Sequence, residues 1–123
     1  MVVKASIGSS GGGSASLIDA SNAACIGVAS SGNSTYTFND IPETKECIYA
    51  VLYGTTFTKG NYYNLGSSAC YPVTLVFVDA SGNCIANINA GTSIGSASIS
   101  GDTLTITGQQ SGKSNVGLFL LAK

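Results

Sequence analysis

The sequence predicts an all-β domain, an antiparallel β-sandwich of jelly-roll-like form with about 8–10 strands. Three observations predict it. Runs of alternating apolar and polar residues recur roughly every ten residues, each bounded by Gly, Asn, Ser or Asp. No stretch repeats its apolar residues with the period of a helix. The segment Ala97-Ser98-Ile99-Ser100-Gly101-Asp102-Thr103-Leu104-Thr105-Ile106 reads as two alternating strands around a two-residue turn.

In chain order, the expected strands are 2–7, 16–19, 25–29, 35–38, 46–56, 73–79, 84–88, 96–100, 103–107 and 116–121. The first carries Val2, Val3 and Ile7 and runs into Gly8-Ser9-Ser10-Gly11-Gly12-Gly13-Ser14, the composition of a flexible tether. Residues 1–15 are therefore read as an N-terminal arm and 16–123 as one β-sandwich domain. Val2, Val3, Ile7, Gly11, Gly12 and Gly13 are the arm's candidate assembly residues, because an extended segment can add to the open edge of another subunit's sheet. Residues 73–78 and 116–121 are apolar on both faces, so each predicts a central strand that is packed above and below or lies against a neighbouring subunit. Leu75 and Phe77 are expected in the core, with Phe77→Ala costing about 3–5 kcal/mol. A hairpin is expected at Ala80-Ser81-Gly82-Asn83, where two registers fit. In the later hairpin, the Gly101-Asp102 turn sets Ile99 opposite Leu104 and Ala97 opposite Ile106; Thr103, Thr105 and Thr107 then line a wet face. A short internal echo, Leu17-Ile18-Asp19-Ala20-Ser21-Asn22 against Phe77-Val78-Asp79-Ala80-Ser81-Gly82, marks either two similar hairpins or a coincidence.

Only 9% of residues are charged, the net charge is −1, and there is no His or Trp. All five basic residues are Lys, placed singly, so no basic stripe exists to displace counterions from a nucleic acid or to hold an anionic membrane. The commonest general base and the commonest zinc ligand are both missing. Ser, Thr and Asn supply the surface instead, and a near-neutral surface of this kind favours self-association. No apolar signal core precedes Gly8, and no apolar run approaches the roughly 20 residues needed to span a bilayer. An extracellular assembly reached without an export signal is the expected setting.

Cys25, Cys47, Cys70 and Cys84 contain no C-x-x-C pair and have no His to complete a zinc site, so neither a metal nor a cofactor is expected. They are either possible disulfides, in one of three pairings, or small buried hydrophobes. Gly112-Lys113-Ser114 imitates a phosphate-binding loop, but Gly108 stands one residue too close and a strand follows where a helix is required. Asp19, Asp79 and Asp102 lie beside turn residues, where a carboxylate caps backbone N–H groups, and no acid pair stands at catalytic spacing. Catalysis is not expected.

The candidate ligand surface is Asn61, Tyr62, Tyr63 and Asn64, with Tyr71 nearby in sequence. A tyrosine face stacks on the C–H groups of a sugar while amides bond its hydroxyls, so a neutral glycan is the ligand these residues suit. The competing reading is that the tyrosines close the end of the sandwich or meet a neighbouring subunit.

Tyr36-Thr37-Phe38-Asn39-Asp40-Ile41-Pro42, the hairpin from Ser98 to Gly108 and the closing Val116-Gly117-Leu118-Phe119-Leu120-Leu121-Ala122 together resemble, in style over the full chain, the small β modules of phage virions: tail, fibre and head-decoration proteins. The resemblance implies a non-enzymatic structural subunit, a symmetric homo-oligomer with other virion proteins as neighbours, and in some cases host attachment through glycans. Four cysteines exceed what that group shows. A disulfide-linked extracellular filament subunit, similar to spore-appendage proteins, is the second reading, and a carbohydrate-binding module of a secreted protein is the third.

Overall fold

The computed structural model describes residues 17–29, 35–53, 56–66, 71–88, 96–107 and 116–123. The arm with Val2, Val3, Ile7, Gly11, Gly12 and Gly13 lies outside them, as do Cys70 and residues 108–115. Among the described residues there is no helix. Ten strands are present: β1 (Ala23–Ala24), β2 (Gly27–Ala29), β3 (Thr35–Phe38), β4 (Cys47–Tyr53), β5 (Tyr62–Tyr63), β6 (Tyr71–Val78), β7 (Cys84–Ile88), β8 (Ser96–Ser100), β9 (Thr103–Thr107) and β10 (Val116–Ala122). Every pairing between them is antiparallel.

They form three layers. The middle layer is a five-stranded sheet in the order β2-β10-β4-β6-β7; a three-stranded sheet β3-β9-β8 lies on one side, and the short ribbon β1-β5 lies on the other. Alternation along the central strands decides which residue faces which layer. Cys47, Tyr49 and Val51 of β4, Val76 and Val78 of β6, and Val116 and Leu118 of β10 meet Tyr36, Phe38, Leu104 and Ile106 of the three-stranded sheet in the main core. The intervening Ala50, Leu52 and Phe119 face the opposite way, into a second core with Ala23, Cys25 and Phe57. The two apolar runs read from the sequence therefore belong to strands with packing on both faces, and β10 and β6 both occupy interior places in the sheet.

Phe77 corrects that expectation in one respect. It lies on the face turned toward the ribbon but beyond the ribbon's reach, and is 38% exposed, while its neighbours Val76 and Val78 are buried. Its truncation should cost under about 1 kcal/mol rather than the core figure. Leu75 is half-buried against the second core. Of the expected strand 16–19, the described part is a single bridge between Leu17 and Ala122. The expected strand 25–29 begins only at Gly27, because Cys25 and Ile26 carry the chain from the ribbon to the sheet: the Cys25 N–H donates to the Asn61 carbonyl and the Ile26 N–H to that of Leu118.

The Gly101-Asp102 hairpin has the register read from the sequence, with Ile99 opposite Leu104 and Ala97 opposite Ile106. Gly101 supplies the positive φ of 61° that its turn requires. At the other hairpin, Val78 pairs with Cys84 and the Asp79 carboxylate accepts the N–H groups of Ser81 and Asn83, each at 2.9 Å. Asp19 accepts the Ser21 N–H in the same way at 3.0 Å, so the internal echo marks a shared Asp-capped turn. Only the second copy of that turn joins two paired strands.

Candidate interaction surface

The tyrosine loop divides into an inward and an outward half. Residues 56–66 close over the second core: Phe57 is 2% exposed, and Tyr63 makes edge contacts with Phe57 at 5.0 Å and with Phe119 at 6.0 Å between ring centroids. The Tyr63 hydroxyl also accepts the Thr58 N–H at 2.7 Å. Gly117 makes this cluster possible, since a Cβ there would stand 2.7 Å from the Phe57 ring. Because Tyr62 and Tyr63 are successive residues of β5, the inward turn of Tyr63 sends Tyr62 outward, and Tyr62 is 63% exposed.

Of the residues proposed for a sugar, Asn61, Tyr62 and Asn64 are exposed and Tyr63 is a packing residue. The Asn64 side-chain oxygen is engaged by the Gly66 N–H at 2.9 Å. Tyr71 belongs to the start of β6, opposite Tyr53, rather than to the loop. One aromatic ring therefore stands free at this place among the described residues. That supports a shallow contact and not a pocket.

A second exposed feature runs across the five-stranded sheet. Ala122 pairs with Ile48, Ile48 with Phe77, and Phe77 with Ile85, and Leu17 bridges Ala122 from the opposite side of β10. Five residues thus stand abreast in one row. Leu17, Phe77 and Ile85 are respectively 42%, 38% and 69% exposed, while Ala122 is buried and Ile48 half-buried between them; Val28 and Tyr62 are the other large apolar residues exposed among the described residues. Sequence reasoning did not single out Ile48 or Ile85. The signal was present for Ile85, which falls on the same parity as Asn87 in Cys84-Ile85-Ala86-Asn87-Ile88 and so on the face opposite Cys84.

The cysteines carry no shared chemistry in the described structure. Cys25, Cys47 and Cys84 are free thiols. Cys25 lies in the second core and the other two in or against the main core, on the far side of the central sheet. Cys47 and Cys84 both pair with Val78, which puts them two strand spacings apart, about 9.5 Å and beyond disulfide reach. Burial raises all three thiols: Cys47 goes to about 11, with Glu43 and Cys84 adding to the effect, and Asp79 adds to the effect of burial on Cys84. They are packing groups rather than nucleophiles.

Tyr49 is a buried titratable group whose role is a clamp. Its hydroxyl donates to the Glu43 carbonyl at 2.6 Å and accepts the Glu43 N–H at 3.0 Å, fixing the crossover between β3 and β4. Burial raises its phenol to about 12.

Among the described residues no three of Cys, Asp and Glu come together as a metal site, and no helix is long and apolar enough to cross a membrane. No protein-family model matches the chain, and no curated protein or solved structure is significantly similar to it.

Proposed function

We propose that the chain is a non-enzymatic structural subunit acting through homomeric assembly, as a tail, fibre or decoration component of a phage virion. The observation that carries the homomeric part is the exposed apolar pair Phe77 and Ile85, side by side on β6 and β7. Such a pair contributes nothing to an isolated monomer and becomes favourable when a second surface covers it. The near-neutral charge offers little repulsion against that contact. The placement in a virion rests on the sequence resemblance alone.

Sedimentation and negative-stain electron microscopy of the purified full chain at micromolar concentration test the reading. Rings, fibres or particles of uniform size are the expected result, and a monomer at every concentration would overturn it. Disulfide linkage of subunits is the alternative: Cys25 and Cys47 are each 1% exposed and out of reach of a partner chain, which leaves the partly exposed Cys84 as its candidate among the described cysteines. Host attachment is kept as a second role on one observation, the outward ring of Tyr62 beside exposed Asn61. Its ligand would be a neutral glycan, weakly held at one site and strengthened about 100-fold or more by repetition in an assembly. A glycan array comparing the wild type with Tyr62→Ala decides it; equal signals leave Tyr62 without that role.

A further inference from the structure

Two exposed apolar features project from the same side of the five-stranded sheet. One is the pair Phe77 and Ile85, directly opposed on β6 and β7. The other is Tyr62, whose ring stands on the outer surface of the ribbon with Ala24 opposite it. The ribbon is one layer of chain thick and covers the half of the sheet that holds Ala50, Leu52 and Phe119. Beside it, the half that holds Phe77 and Ile85 lies lower by that layer, about 10 Å. The face is therefore a step, with a tyrosine on its raised half and a phenylalanine and an isoleucine on the floor of its sunken half.

We infer that two copies of the chain pack through this step as a two-fold dimer, the Tyr62 side of each ribbon seated on Phe77 and Ile85 of the other copy. The inference rests on the homomeric reading above and names the contact behind it. Ribbon and pair point out of one face, so laying the ribbon of one copy on the pair of the other sets the two faces opposite each other. A two-fold axis in the plane between them, midway from ribbon to pair, then seats both ribbons at once. The two sheets stand about 20 Å apart, with one ribbon filling each half of the gap. Seating pair against pair would leave both tyrosines in water. Charge agrees with the assignment. Lys59, exposed three residues before Tyr62, is the only basic residue of the segment 56–66. Glu46 and Asp79 are exposed two residues along their chains from Ile48 and Phe77, and with Lys45 beside them the sunken half still carries one acid more than it has bases. Asp19, at the far end of the ribbon from Lys59, is engaged by the Ser21 N–H and hydroxyl. The dimer is closed, so it is the unit that further contacts repeat in a larger assembly. A seated Tyr62 is shut off from a glycan, so this contact competes with host attachment for the same ring.

Complementation between two full-length variants tests the assignment. Tyr62→Lys and Ile85→Glu each place a charge in both copies of the contact, at positions too exposed to be needed for folding. Each alone should weaken self-association by at least about tenfold in sedimentation velocity, with an unchanged far-ultraviolet circular dichroism spectrum. An equimolar mixture should recover dimers holding one chain of each kind, resolved by native mass spectrometry. In such a pair one contact keeps Tyr62 on Phe77 and Ile85, and the other sets the introduced ammonium against the introduced carboxylate. If either variant assembles like the wild type, the inference fails and the homomeric reading stands; where that variant is Tyr62→Lys, the ring is left to the glycan. A mixture that stays monomeric while the wild type assembles also overturns the inference. A wild type that is itself monomeric at every concentration removes the homomeric reading, and the inference with it. Should either variant lose its β spectrum, Tyr62→Ser or Ile85→Ser replaces it, and the weakening alone is read.

Discussion

The two outer faces of this molecule meet water in opposite ways. On the three-stranded sheet, Thr35, Thr37, Ser96, Ser98, Ser100, Thr103, Thr105 and Thr107 stand in cross-strand ranks behind the apolar face of the main core. Their hydroxyls bond to one another and to neighbours: Ser96 with Thr107 at 2.7 Å, and Thr103 donating to Asn39 at 3.1 Å. On the five-stranded sheet, the outer face carries Phe119, Ala50, Leu75, Ile48, Phe77 and Ile85. A ribbon covers one half of it and leaves the other half open. The difference shows how a chain with 9% charged residues can carry a hydroxyl-covered face and a partly uncovered apolar face on one sandwich. Hydroxyl pairs satisfy each other without charge, whereas branched apolar residues in the same ranks need a cover.

Substitutions rank the two faces by how much each contributes. Phe119→Ala should cost the most, about 3–5 kcal/mol in a urea titration, because it empties the centre of the aromatic cluster under the ribbon. A loss comparable to that of Phe77→Ala would mean that the ribbon is not a true third layer. Next comes alkaline pH. Tyr49 and Cys47 ionise in the fold only near 12 and 11, against about 10 and 9 in the unfolded chain, so the folded state retains their protons longer. Their contribution is complete below about pH 9 and is lost as pH rises through about 11 to 12, so the urea midpoint should fall over that interval. Tyr49→Phe should flatten part of the fall while losing about 1 kcal/mol at neutral pH with the Glu43 clamp. Phe77→Ala should cost under about 1 kcal/mol and reduce self-association measurably by light scattering. Smallest of all, Thr105→Val on the hydroxyl face should change stability by less than about 0.5 kcal/mol; a larger loss would show that the hydroxyl ranks support the sheet.

What was legible from the sequence follows from where period-two alternation is unambiguous. Ile99 and Leu104 could be paired because a two-residue turn and strict alternation allow one register with all apolar residues on one face. Phe77 was misread for the reason that makes apolar runs attractive. Consecutive apolar residues show that both faces of a strand are apolar, but not how far the cover on each face extends, and here it reaches Leu75 and stops. The β5 strand left no pattern to read, being two tyrosines; Tyr63 turns inward only because Phe57 and Phe119 meet it there. The cysteine spacings likewise hid a parity. Cys47 and Cys84 fall on one side of the sheet, while Cys25 reaches the opposite core from a connection outside it.

The position of β10 has a consequence for the order in which the chain is made. It is the tenth strand in sequence, yet it lies between β2 and β4 and supplies residues to both cores. Until it leaves the ribosome, β2 is cut off from the rest of its sheet and β4 has one open edge. The sheet therefore closes late, through contacts between segments about ninety residues apart, such as Gly27 with Leu118. Nascent chains stalled before Val116 should be the species most easily captured by chaperones and proteases.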